Sequence, residues 1–202
     1  MACAMRPLPI ALLVLALASP SAALAASANI ADLPAGHFQL DPKHASLIAR
    51  VRHVGVSNYV LRFDKLAAEF TYDPAHPEAT KLTASVDTTS LDVGADYSRK
   101  FAEDFLKATQ FPQATFVATS MTPGADGRTG TMTGDLTLMG VTKQVTFKVA
   151  FVAVGKMPYI GGTVAGFSAT TVIHRSDFGS TYVLAFVGDE VSLDIEGEFD
   201  RK

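Results

Sequence analysis

The sequence has no tryptophan, a single cysteine and no run of basic residues, and each lack closes off a class of protein. With 17 basic against 20 acidic residues, the chain offers no electrostatic footprint for a nucleic-acid backbone, and no nucleic-acid partner is expected. The one cysteine, Cys3, lies at the very start, so the body of the chain has no disulfide, zinc-thiolate or cysteine-nucleophile chemistry. No stretch approaches the roughly 20 apolar residues of a transmembrane helix. Charged residues are only 18% and hydrophobic ones 48%, a composition too apolar for disorder that calls for a packed core.

What is present begins with a leader. Arg6, an apolar stretch from Ile10 to Ala18 and the small-residue site Ala23-Leu24-Ala25 read as a secretory signal peptide over residues 1–25, cleaved near Ala25. The expectation is a free periplasmic protein whose single domain covers residues 26–202.

Beyond the leader, the chain alternates apolar and polar residues with period two, broken at intervals by turn residues. In Glu190–Phe199, Val191, Leu193, Ile195 and Phe199 share one face, and Glu190, Ser192, Asp194, Glu196 and Glu198 the other. Eight such segments are predicted, near 45–53, 58–72, 80–88, 114–122, 129–139, 143–154, 163–174 and 190–200. Eight strands wet on one side only, joined by short turns such as Met139-Gly140, point to an all-β antiparallel barrel. One segment departs from the rhythm: Tyr97, Phe101, Phe105 and Leu106 recur at helical spacing between Asp96 and Ala108, ahead of Phe111-Pro112. This single amphipathic helix is expected to lie against one end of the barrel.

Catalytic signatures are scarce. The sequence has no G-x-S-x-G, H-E-x-x-H or phosphate-cradling loop, and His37, His44, His53, His76 and His174 show no metal-ligand spacing. No enzyme activity, metal or cofactor is expected. Polar groups that end strands, Arg52-His53 and Arg175-Ser176-Asp177, could gather at a rim.

Five stretches carry a family resemblance: Leu40-Asp-Pro-Lys-His-Ala-Ser46 with Val51-Arg-His-Val-Gly-Val-Ser57; Leu106-Lys-Ala-Thr-Gln-Phe-Pro-Gln-Ala-Thr-Phe116; Gly134-Asp-Leu-Thr-Leu-Met-Gly-Val-Thr-Lys143; Arg175-Ser-Asp-Phe-Gly179; and Val187-Gly-Asp-Glu-Val191. In this order they resemble the YceI-like family of bacterial periplasmic proteins. The resemblance implies a lipocalin-like barrel and a bound polyisoprenoid lipid. Two departures stand out. Ala49 replaces a common aromatic residue and would widen the cavity at its level. Phe105 replaces a histidine and would put an apolar side chain near the mouth.

An eight-stranded barrel is either filled by its side chains or holds one small ligand. The positions expected to line the cavity are Leu47, Ala49, Val51, Leu61, Phe63, Phe116, Leu136, Leu138, Phe147, Val149, Phe167, Ile173, Val191 and Leu193, with Ala84, Ala118, Ala169 and Gly197 leaving room between them. Such a lining suits the hydrocarbon tail of an isoprenoid quinone or polyprenyl compound, with His53, Arg175 and Asp177 as the candidate head-group contacts. Transient contact with a membrane surface follows from that use, and a possible homodimer from barrel edges and exposed apolar strands. The alternatives are a lipid-modifying enzyme using Asp177, His53 or Asp92 at the barrel mouth, and an outer-membrane barrel, apolar outside and polar inside.

Overall fold

A computed structural model describes residues 26–94, 96–157 and 161–202, and the leader lies outside these. Ten strands run in chain order: β1 (Gly36–His53), β2 (Ser57–Phe63), β3 (Leu66–Tyr72), β4 (Lys81–Asp87), β5 (Leu91–Asp92), β6 (Gln113–Pro123), β7 (Thr129–Leu138), β8 (Val141–Lys156), β9 (Thr163–His174) and β10 (Val187–Arg201). Neighbouring strands pair antiparallel from β3 through β4, β6, β7, β8 and β9 to β10, and β1 pairs with both β10 and β3 to close the wall. The expected eight-stranded antiparallel barrel is therefore present. The helix α1 (Ser98–Leu106) falls within the span the spacing predicts.

The count remains eight because β2 and β3 occupy one position in the wall, and β4 and β5, which pair with β3 and β2 respectively, occupy another. The expected strand 58–72 is broken at Asp64-Lys65, where backbone bonding leaves the sheet: the Asp64 N–H donates to the Ser90 carbonyl (3.2 Å) and the Lys65 N–H to the Ser90 hydroxyl (3.1 Å). The first strand also starts earlier than expected, at Gly36 instead of residue 45. Pro42 obscures this start, since the wall carries it only in a bulge: Leu40 faces Phe199 and Ala45 faces Gly197, and residues 41–44 are left unpaired with β10.

Two smaller bulges, at Thr119 in β6 and Val152 in β8, interrupt the register in the same way. Each irregularity reverses the alternation, so inward positions step by an odd number, from Phe63 to Leu66, Ala118 to Met121 and Phe151 to Val154. By contrast, the β7–β8 hairpin is tight. Met139 (φ 52°) and Gly140 (φ 75°) both take left-handed conformations, the type I′ arrangement whose twist matches the strands.

The two ends of the barrel differ. Where β1 meets β2, the end is packed solid: Val51, Leu61, Leu91, Val187 and Ala49 enclose Ala102 and Phe105 of α1. Phe105 stacks on Phe101 (4.2 Å between centroids) and meets the edge of Tyr182 (5.2 Å). The apolar side of α1 is thus spent on plugging this end. At the other end, Phe38 and Leu33 are buried beside a cluster of rings, in which Phe70 stacks on Phe38 (4.9 Å) and meets Phe199 (5.0 Å) and Phe167 (5.5 Å). The outer wall is polar, with cross-strand Thr133–Thr146 and Thr137–Thr142 hydroxyl bonds of 2.8 Å and the carboxylates of Glu196 and Glu198 exposed. This apolar-inside, polar-outside arrangement is the inverse of an outer-membrane barrel.

The β1 bulge is held by a local staple. The Asp41 carboxylate accepts the Lys43 N–H (2.9 Å) and bonds His44 Nδ1 (2.8 Å), with Glu198 beyond (3.9 Å). The hydrogen bond to Asp41, then the charge of Glu198, raises the His44 pKa, and the backbone bond from Lys43, then His44, lowers that of Asp41. His44 therefore contributes stability fully present below the ordinary imidazole pKa and lost as pH rises through its own raised value. Asp41 contributes stability present above the ordinary carboxyl pKa and lost as pH falls through its lowered one. Proton titration by NMR is expected to show His44 holding its proton to higher pH than an ordinary imidazole, and Asp41→Asn should return it towards the ordinary value.

Candidate functional site

Between the plugged end and the ring cluster, the barrel encloses a cavity of about 480 Å³. Its walls are apolar: Leu40 and Leu47 of β1, Leu66, Ala68 and Phe70 of β3, Leu82 and Ala84 of β4, Phe116 and Met121 of β6, Met132 of β7, Phe147, Val149 and Phe151 of β8, Phe167 and Ala169 of β9, and Ile195 and Phe199 of β10. Its mouth lies at the end away from α1. Ile30 and Ala31 of an N-terminal 3₁₀ turn, Pro74 and Pro77 of the β3–β4 loop, and Gly127 and Arg128 of the β6–β7 loop border it. The volume lies within the usual range of small-molecule sites.

Of the expected lining residues, Leu47, Phe116, Phe147, Val149 and Phe167 reach this cavity. Ala49, Val51 and Leu61 are buried in the plugged end, with Phe63, Val191 and Leu193 packed against them. Ala49 does point inward, but its neighbours fill the space and no widening results. Leu136 packs beside Phe116 and Phe147, Leu138 ends β7, and Ile173 borders a shallow polar groove with Lys143 and Asp177. The residues missed, chiefly Phe70, Phe151, Met121, Met132 and Phe199, cluster around the bulges. Period-two counting carried past Phe63 turns Phe70 outward, and only the break at Asp64-Lys65 brings it in. The useful signal was the helix itself, because the half of the barrel it plugs cannot also be the open half.

The proposed head-group residues are all outside the cavity lining, at the plugged end. The Arg175 guanidinium is buried, and it donates to the carbonyls of Gly188 (2.9 Å), Ser180 (2.8 Å) and Val187 (2.8 Å) while lying over the Phe105 ring (5.4 Å). Burial lowers its pKa, opposed by the Asp189 carboxylate, which itself accepts the Ser176 N–H and hydroxyl (both 2.8 Å). Arg175 is thus a structural staple. His53 is exposed beside Tyr59 (6.2 Å), and Asp177 is exposed at the shallow groove. Phe105 belongs to this plug and not to the mouth, so its expected effect on a head group has no geometric basis. Asp92 accepts the Gly94 N–H (2.7 Å) ahead of α1.

The motif residues likewise have structural reasons. A side chain at Gly134 would meet the Val117 carbonyl at 2.4 Å and the Phe116 ring at 2.5 Å, so β7 passes that ring only as glycine. Thr88 is buried and donates its hydroxyl to the Phe111 carbonyl (2.6 Å), tying the segment after α1 to the wall.

The fold agrees with comparisons to known proteins. The YceI-like domain matches residues 38–199. This chain belongs to the YceI-like family. It is 39% identical over 191 residues to a UPF0312 protein of Pseudomonas fluorescens, covering 91% of this chain and 94% of that one. A UPF0312 protein of Vibrio cholerae is 36% identical over 175 residues, with 85% and 89% covered. Among solved structures, Burkholderia cenocepacia BcnA superposes with a TM-score of 0.68 at 25% identity, covering 79% of this chain and 98% of that one. The Campylobacter jejuni YceI protein gives 0.63 at 30% identity, covering 75% and 90%. A polyisoprenoid-binding domain from Saccharophagus degradans shares the fold alone, with a TM-score of 0.61 at 13% identity over 83% of this chain and 99% of that one.

The staple role of Arg175 has a measurable consequence. Arg175→Met keeps the bulk but leaves three carbonyls without their donor, and is expected to lower unfolding stability by about 3 kcal/mol or more in urea titrations. A loss below about 1 kcal/mol would show that the guanidinium is dispensable to the plug.

Proposed function

We propose that this YceI-like protein is a periplasmic carrier that holds the hydrocarbon tail of an isoprenoid lipid in its barrel cavity. The observation that carries this reading is the cavity: about 480 Å³ of space walled by Phe, Leu, Met and Val, blocked by α1 at one end and bordered at the other by loops whose one charged lining residue is Arg128. An unfilled apolar core is costly unless something apolar occupies it. The Saccharophagus degradans domain that shares the fold is described as polyisoprenoid-binding, which supports the same class of ligand.

Magnitudes limit the tail and the route of exchange. A cavity near 150 Å³ admits one benzene, so about 480 Å³ admits roughly 18–20 carbons, or about four isoprene units. At about 0.8 kcal/mol per buried CH₂-sized group, four units gain up to roughly 16 kcal/mol against water. That is close to the ceiling of non-covalent affinity, and escape into water would be very slow. Against a bilayer the gain nearly vanishes, because one hydrocarbon environment replaces another. The carrier therefore loads and unloads by contact with a membrane surface, without a cofactor or covalent step. A lipid-modifying enzyme is the weaker reading, since His53, Asp177 and Asp92 do not line the cavity and the charged residues that do are Arg128 and Glu196.

Native mass spectrometry of the protein purified from a bacterial periplasm, followed by solvent extraction, is expected to release one isoprenoid per chain. Ala84→Phe, which fills the cavity from β4, should lower lipid retention at least tenfold while leaving the barrel folded by circular dichroism. A bare polypeptide mass and no uptake of offered polyprenyl lipids would refute the carrier reading. Transfer between vesicles should accelerate with acceptor concentration.

A further inference from the structure

The cavity is almost wholly apolar, and its two charged lining residues behave differently. Glu196 lies between the inward Ile195 and Gly197, so strand alternation turns its carboxylate to the outer wall. Arg128 stands at the mouth, in the β6–β7 loop. Among the described residues, its guanidinium has no hydrogen-bond or ion-pair partner.

The loop that carries Arg128 is built to hold it in place. Its N–H donates to the Asp126 carboxylate (3.0 Å), and its carbonyl accepts the Phe151 N–H from the adjoining wall (2.7 Å). Asp126 is fully engaged, accepting also the Thr129 N–H and hydroxyl (both 2.8 Å), and these bonds hold its pKa down at about 2. The neighbouring carboxylate is thus committed to the turn, and Gly127, in a left-handed conformation (φ 64°), brings the loop beside Ile30 of the N-terminal turn. A fixed backbone with a free planar fork at the rim of a hydrocarbon cavity is suited to an anionic oxygen group. Tyr72, half-buried in the same lining, adds a phenol whose pKa is raised by burial and by Asp73, so it stays a neutral donor.

Resting on the carrier reading, we propose that Arg128 selects the head group: the preferred ligand is an isoprenoid bearing a phosphate, with the tail inside and the phosphate on the Arg128 guanidinium at the mouth. A neutral prenyl alcohol or quinone occupies the same cavity without this contact.

The test compares two probes of equal tail length, geranylgeranyl phosphate and geranylgeraniol, titrated into full-length mature protein and into Arg128→Gln and Arg128→Lys. The wild type is expected to bind the phosphate roughly tenfold or more tightly than the alcohol, the range of a charge-assisted contact. Arg128→Gln should bring the ratio close to one with the alcohol affinity unchanged, and Arg128→Lys should keep part of the preference. A wild-type ratio near one, or one that Arg128→Gln leaves intact, overturns the head-group assignment and leaves tail binding standing. Failure of the wild type to bind either probe overturns the carrier reading and this inference with it.

Discussion

The barrel depends on β1. This strand pairs with β10 along almost its whole length on one side, and on the other with β3 near its start and β2 near its end. No other strand is shared three ways among the described residues. Closure removes the open edges that would otherwise need covering, and it obliges every inward side chain to meet others across the same lumen. A straight β1 could not serve all three neighbours. The four residues bulged at Asp41–His44 supply the slack, and they let Leu40 and Ala45 both face inward although they lie an odd number of residues apart.

The same slack is aligned with other irregularities around the lumen. The bulge in β1, Glu198 of β10, Gly166 of β9 and the bulge in β8 form one row around the wall. The cavity spans that belt, with Leu40 and Phe199 lining it on the mouth side and the row Leu47, Ile195, Ala169 and Val149 lining it on the side towards α1. Of the stretches that carry the family resemblance, Val51–Ser57, Arg175–Gly179 and Val187–Val191 lie at the filled end, and Leu40–Ser46 and Leu106–Phe116 also reach the cavity through Leu40, Ala45 and Phe116. Their visible work is structural, through the Arg175 staple, the Ser176–Asp189 pair and the Thr88 tie. The loops that border the mouth, near Pro74–Pro77 and Gly127–Arg128, belong to none of them, so ligand preference can change there without disturbing the plug.

Much of the fold was legible because burial on one face imposes period two, and eight such runs with turns between them admit few architectures. The helix was legible for the complementary reason, as Phe101 and Phe105 make sense only on a surface of period 3.6. The cavity was less so. Leu47, Phe147 and Phe167 come out correctly because no irregularity separates them from the runs that define their face. Phe70 and Met121 lie just past a break or bulge, and nothing in the local sequence marks one residue's loss of register. Arg175 shows a different limit: a cation beside a strand end looks alike whether it meets solvent, a ligand or three carbonyls, and only the path of residues 180–188 decides. Arg128 drew no notice because a basic residue in a glycine-rich turn is ordinary until the turn is found beside a mouth.

The unfilled half of the lumen has a mechanical consequence. Space that side chains do not occupy is eliminated when the chain unfolds, so the empty barrel occupies more volume than its unfolded form by an amount that scales with the gap. Hydrostatic pressure acts on that difference and favours the state without the void. A tail lodged against Phe70, Phe151 and Phe199 removes the void and with it the volume gained by unfolding. Loaded and empty carriers of identical sequence would therefore part company under compression, with the softness residing in the lumen that carries the cargo.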